Sequence, residues 1–253
     1  MTPQQLTLPL DRLPEAQIRG LFEEVFRQLK PRTPLPPIAV EFYPYASLNH
    51  SIRRRSGRVL VRLSDIMRDA QPADLEAIAA ILICKLYRRT IPEKVERRYR
   101  RYANQPEVRD RIHEVRRRRS RPSRGRSKGR TYDLHLMLEA VARKYHVDLA
   151  NIAKIYWTPT VSRSVLGRYD RAHYSIAVNR ALDHPDIPAY FVEYIVYHEM
   201  LHSVFDDVFE DDTRRSHHAA FRAAEKRFTD YEKSQKFLKS ISRWISGRRW
   251  TVD

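Results

Sequence analysis

Three observations predict an α+β fold for this chain of 253 residues. Short segments of alternating apolar residues lead into long, almost wholly apolar helical segments. That succession occurs twice, at a nearly constant spacing. The second apolar helix also carries the run YHEMLHSVF, residues 197–205, two imidazoles and a carboxylate in the middle of a hydrophobic stretch.

The first unit opens with the helical pattern LFEEVFRQL from residue 21, followed by the strand candidate IAVEFYPY from residue 38. Residues 58–87, RVLVRLSDIMRDAQPADLEAIAAILICKLY, then lie without a gap over residues 173–202, HYSIAVNRALDHPDIPAYFVEYIVYHEMLH. Both ends of these segments differ by 115. In each, a period-two run (Val59, Val61, Leu63 or Tyr174, Ile176, Val178) reads as a half-buried strand, and a proline-containing turn opens an apolar helix. IAKIYWTP from residue 152 lies over IAVEFYPY at an offset of 114, and MLEAVARKY from residue 137 matches the leading helix. The expected plan is two units of helix, strand, hairpin strand and long helix. The boundaries are 1–96 for a first unit without metal ligands, 97–130 for a basic helix and arginine-rich linker, and 131–253 for the unit that carries chemistry. Where the second helix has His198, Glu199 and His202, the first has Ile83, Cys84 and Tyr87.

Composition narrows the function classes. One cysteine, Cys84, rules out a disulfide framework and thiolate zinc motifs, so a metal would be held by His, Asp or Glu. The N-terminus has no leader pattern and no run is long and apolar enough for a membrane span, so the expectation is a soluble cytoplasmic protein without a membrane partner. The formal charge of +17 favours a polyanionic partner. Its densest source is the linker, where Arg116, Arg117, Arg118, Arg119, Arg121, Arg124, Arg126, Lys128 and Arg130 are the candidate nucleic-acid contacts, with Tyr99 and Tyr102 between earlier basic runs. RPSRGRSKGR, residues 121–130, reads as flexible. DDVFEDDT, residues 206–213, would repel nucleic acid from its part of the surface.

In a helix, His198 and His202 share one face a single turn apart, so both can reach one cation, and Glu199 sits one residue round. Burying these groups without partners would cost several kcal/mol, roughly 2–7 for each polar group, and a bound cation removes much of that penalty. A catalytic zinc ion takes three protein ligands and keeps one position for water. The third ligand is expected from SHHAAFRAAEKRF, residues 216–228, where Ser216 is a candidate helix cap and His217 and His218 are both available.

HEMLH, a loop, and then His217 four residues ahead of Phe221 resembles the SprT-like (Spartan-like) zinc metallopeptidases of the gluzincin-like group, over about residues 131–245. The hairpin segment SVLGRYDRAHYSIAVNRAL, with Gly167 and Asp170 near its turn, is similar to that family's as well. The resemblance implies a zincin-like catalytic domain, preceded here by a degenerate copy of its unit. It also implies one zinc ion on His198, His202 and His217, Glu199 as general base, and protein substrates that are bound or crosslinked to nucleic acid. The family's usual glycine after the third histidine is His218 here, which keeps His218 open as an alternative. By the same analogy, the strand Tyr174 to Val178 is expected to offer its edge to an extended substrate. The competing expectation is a non-catalytic nucleic-acid-binding protein with a structural zinc or an inactive site.

Overall fold

A computed structural model describes residues 13–210 and 213–247 of the chain. It is a mixed α+β molecule of two compact units that divide between Ser120 and Arg121. No helix among the described residues is long and apolar enough to cross a membrane.

In the first unit, helix α1 (Glu15–Leu29) buries Ile18, Phe22, Val25 and Phe26, the stripe that its spacing dictates. Strands β1 (Ile38–Tyr43), β2 (Ser51–Arg55) and β3 (Arg58–Ser64) form a sheet of order β1-β3-β2, with β1 parallel and β2 antiparallel to β3. The two-residue turn between β2 and β3 is Ser56-Gly57, with φ of 48° and 76°. Positive φ at both positions matches the right-handed twist of a hairpin, and Gly57 takes it without strain. β3 buries Val59, Val61 and Leu63 on alternate positions. Helix α2 (Pro72–Leu86), with proline in its first turn, buries Asp74, Leu75 and the unbroken run 77–84, as its even hydrophobicity requires. Cys84 lies on it as a buried thiol, its pKa raised by that burial.

Helices α3 (Glu93–Asn104) and α4 (Pro106–Arg119) complete the first unit. Their charge is not simply solvated. Arg98 Nε reaches the buried Asp74 at 2.6 Å, Arg111 reaches Asp69 at 2.9 Å, and Arg119 grips Asp65 through both guanidinium nitrogens at 2.7 and 2.8 Å. Tyr99 and Tyr102 turn inward. Tyr102 is buried with its hydroxyl on the Ile66 carbonyl, and Tyr99 bonds His50, so neither offers the exposed stacking surface that the sequence suggests. His50, a surface residue by its polar sequence neighbours, is partly buried. Its Nδ1 accepts from the Ser64 N–H at 3.1 Å, and its Nε2 lies 2.9 Å from the Tyr99 hydroxyl.

The second unit repeats the plan. Helix α5 (Leu134–Tyr145), capped by Asp133 through the His135 N–H, leads to β4 (Lys154–Trp157), β5 (Gly167–Asp170), β6 (Ser175–Val178) and helix α6 (Ala189–Val204). The sheet order is β4-β6-β5, again parallel then antiparallel. After α6 come the hairpin β7 (Val208–Glu210) and β8 (Thr213–Arg215), helix α7 (Ala219–Glu225) and helix α8 (Tyr231–Ser246). Ile241 and Ile245 of α8 are buried in the second unit's core, with Phe237, Leu238 and Trp244 packed against it.

Val40 pairs with Val61 and Ile155 with Ile176, so both strands of the pair correspond at 115. The offset of 114 for the earlier strand is therefore one residue out. It lays Ile38 over Ile152, whereas a one-residue slip exchanges the buried and exposed faces of a strand, and the buried Ile155 and Trp157 answer to Val40 and Phe42. Ser64 and Asn179 also correspond at 115, and each caps a short 3₁₀ turn by accepting from the N–H two residues on, that of Ile66 or Ala181.

Residues 121–130, expected to be a flexible linker, lie along the second unit. Trp157 N–H donates to the Arg126 carbonyl at 2.9 Å, Leu134 N–H to the Ser127 carbonyl at 3.1 Å, and Lys154 Nζ to the Ser123 carbonyl at 2.9 Å. The Asp183 carboxylate accepts from the N–H groups of Arg130, Thr131 and Tyr132 at 2.6 to 3.0 Å. Glycine is needed here for close approach rather than for flexibility.

Candidate metal centre

Helix α6 presents Tyr194, His198 and His202 at four-residue spacing, and His217, Phe221 and Glu225 meet them at the same spacing from the other side. His198, His202 and His217 each offer a ring nitrogen, and the three lie within 4.8 Å of one another. Nε2 of His202 and Nε2 of His217 are 3.1 Å apart. Two nitrogens on one tetrahedral zinc ion, each at about 2.0–2.1 Å, would stand roughly 3.3 Å apart, so this pair fits a shared ion. Burial and the neighbouring imidazoles depress both groups, His202 to about 4, which leaves their nitrogens unprotonated and able to bind a cation near neutral pH.

Phe221 explains why an aromatic follows His217 by four residues. It is fully buried, and its ring centroid lies 5.2 Å from that of His198 and 4.7 Å from those of His202 and His217. One ring thus supports all three imidazoles. The neighbouring His218 ring packs edge-on to Phe205 at 5.8 Å, and among the described residues it is His217 that joins the cluster. His218 rather than Ser216 holds the N-cap position of α7, without a side-chain cap.

Glu225 is the site residue that sequence reasoning misses. Its Oε1 lies 2.7 Å from His198 Nδ1 and accepts from the Tyr194 hydroxyl at 2.7 Å, and Gln235 Nε2 donates to that hydroxyl at 2.7 Å. Burial pushes the Glu225 carboxyl up, but the hydrogen bonds from His198 and Tyr194 outweigh it and hold the pKa below its ordinary value. An ionised Glu225 fixes the proton of His198 on Nδ1, so Nε2 keeps its lone pair for the cluster. A sequence signal does exist: Glu225 follows Phe221 by four residues on α7.

Glu199 is 6% exposed, and that burial raises its carboxyl to about 7 even though His198, the Tyr169 backbone N–H and Arg168 oppose the rise. Gly167 makes room for it. A Cβ at residue 167 would lie 2.6 Å from Glu199 Oε1 and 2.7 Å from its Cγ. Gly167 is therefore at the end of β5 away from the turn, while Asp170 alone is at the turn, where it accepts from the Ala172 N–H at 3.1 Å.

The substrate-edge expectation for residues 174–178 is corrected by strand order. β6 is central, bonded on both sides, whereas β5 is the edge strand and packs beside α6. The Asn179 N–H bonds the Leu166 carbonyl at 2.8 Å. Alternation along an antiparallel pair then turns the backbone groups of Gly167 and Tyr169 outward, away from β6.

The acidic segment after α6 is a hairpin with partly compensated charge: Asp207 pairs with Arg214 at 2.7 Å and Asp206 with Arg171. Asp211 and Asp212 lie outside the described residues. Of the basic candidates, Arg116, Arg117, Arg118 and Arg119 occupy the last turn of α4 in the first unit, and Arg118 pairs with Glu114 at 2.5 Å. Arg121, Arg124, Arg126, Lys128 and Arg130 belong to the second unit. No protein-family model matches the chain, and neither curated proteins nor solved structures give a match to it.

Proposed function

We propose that the second unit is a zinc-dependent endopeptidase of the SprT-like kind, with a zincin-like fold, and that the first unit is a copy of it without metal ligands. The observation that carries this reading is the convergence of three imidazoles beside a buried carboxylate that is not itself a member of the cluster. A hydrogen-bonded histidine core would not need Glu199 in that position, and a structural zinc site normally fills all four places with protein ligands.

His198, His202 and His217 would hold one zinc ion, which supplies Lewis acidity toward a water molecule and a substrate carbonyl. Glu199 acts as general base, taking a proton from that water and passing it to the leaving amine. The outward backbone of Gly167 and the outward carbonyl of Tyr169 on β5, whose N–H is taken by Glu199, bind an extended peptide by strand addition, a mode that reads main chain rather than side chains. Substrate choice is accordingly set by what brings a protein to the site.

The test is zinc content measured together with casein cleavage. Glu199→Gln is expected to keep zinc and lose hydrolysis, and His202→Ala to lose both. Undiminished cleavage by a purified Glu199→Gln protein, or a wild-type chain that retains no zinc, overturns the reading.

A further inference from the structure

Residues 123–130 read SRGRSKGR, small and basic in strict alternation. The structure gives that alternation a physical cause. Arg124, Arg126, Lys128 and Arg130 are exposed, whereas Ser123, Gly125, Ser127 and Gly129 are partly buried against the second unit. A Cβ on Gly125 would overlap the Tyr156 ring and stand 2.8 Å from the Trp157 carbonyl oxygen, and one on Gly129 would overlap the Asp183 carboxylate. The small residues let the backbone seat, and seating turns the basic residues outward. Extended chain advances about 3.3 Å per residue, so cations at every second position recur roughly every 6.6 Å.

These cations differ from those of the first unit. Arg98, Arg111 and Arg119 are tied to carboxylates, whereas Arg121, Arg124, Arg126 and Lys128 have no carboxylate partner among the described residues. No large apolar side chain interrupts the row, which excludes the amphipathic pattern of a membrane-surface segment. Arginine guanidinium groups match phosphate oxygens in pairs. We infer that Arg124, Arg126 and Lys128 form a fixed cationic ridge that binds the phosphate backbone of a nucleic-acid strand without reading its sequence. The ridge runs beside β4, at the opposite edge of the sheet from β5. Three strand spacings of about 4.8 Å separate them, roughly 14 Å, so on the peptidase reading a protein attached to the held strand lies within reach of Glu199.

The measurement is fluorescence anisotropy of a labelled oligothymidylate across a salt series, on zinc-loaded and chelator-treated chain alike, so that binding is read apart from hydrolysis. Arg124→Ala, Arg126→Ala and Lys128→Ala together are expected to weaken binding about tenfold or more at low salt. They should also flatten the log–log salt slope by about 2, at roughly 0.7 for each phosphate no longer neutralised. These side chains are exposed, and circular dichroism should show the fold unchanged. Gly125→Ala keeps every charge but lifts the backbone, and it should weaken binding severalfold. Unchanged affinity and slope in the triple variant overturn the proposal. So does wild-type binding by a folded Gly125→Ala chain, which would mean that unordered charge suffices. Competition by polyglutamate equal to that by unlabelled oligothymidylate overturns the assignment to phosphate.

Discussion

His198 Nδ1 lies 2.7 Å from Oε1 of Glu225, and that single contact decides which nitrogen of His198 is left to face the other two imidazoles. A carboxylate behind a ligating histidine fixes its tautomer and raises its basicity. Glu225→Ala should therefore lower zinc affinity by about 10–100-fold, read by competition with a chelating dye. Equal affinity in the variant would show that Glu225 is only a packing partner. Tyr194→Phe removes one of the two donors to Glu225 and should give a smaller loss in the same assay.

Gly167 touches the proposed base rather than the proposed metal ligands. Gly167→Ala forces the Glu199 carboxylate to move, because the new methyl group would stand 2.6 Å from Oε1. Hydrolysis should fall by up to about 100-fold, the scale expected when a reacting group is displaced by about an ångström. Zinc content should not change. Loss of zinc alongside activity would assign Gly167 to the fold rather than to the position of Glu199.

Phe221→Ala removes the ring on which three imidazoles rest and leaves a cavity at a fully buried position. A destabilisation of about 3–5 kcal/mol is expected in denaturant titration of the chelated chain. Phe221→Leu should cost less and recover part of the zinc affinity. A surface-like response, within about 0.5 kcal/mol, would contradict the packing described.

His50 makes the first unit sensitive to acid. Burial, with Lys85 adding repulsion, lowers its pKa from 6.5 to about 4. Between those values the unfolded chain binds the proton and the folded chain does not, so stability is full above pH 6.5 and falls as the pH drops toward 4. The His50 contribution to that slope is at most about 1.4 kcal/mol per pH unit. His50→Asn should melt lower at pH 7.5, since it removes the hydrogen bond to Tyr99, and should show a shallower fall in melting temperature across this window. Parallel wild-type and variant profiles would remove His50 as the cause.

The candidate site on α6 is readable in the sequence because the spacing of its candidate ligands and the helix period coincide: His198 and His202 four apart, with Glu199 beside them, need no tertiary information. The doubled plan is readable from Val59, Val61 and Leu63 against Ile176 and Val178, where alternation is strong. The earlier strand falls one residue out of place because Ile38-Ala39 and Ile152-Ala153 match in letters, and letters carry no information about which face is buried. Glu225 escapes notice because a lone glutamate on a short helix is chemically silent until its partner on α6 is known. SRGRSKGR looks like a linker because glycine and serine serve both loose chain and close-packed chain, and only the surface beneath them distinguishes the two. Strand order, which moves the free edge from β6 to β5, is a pairing between distant segments and is not written in either one.

Two of the three imidazoles stand on one helix, and the third arrives only after the hairpin of β7 and β8. A cation gripped by all three would act as a clasp, stapling the chain on either side of that hairpin. Loading and folding would then be one equilibrium, with ion binding adding its free energy to the ordered state. Chelation should accordingly be felt well beyond the imidazoles, as faster amide exchange through α7 and along the α8 helix that Gln235 links to Tyr194.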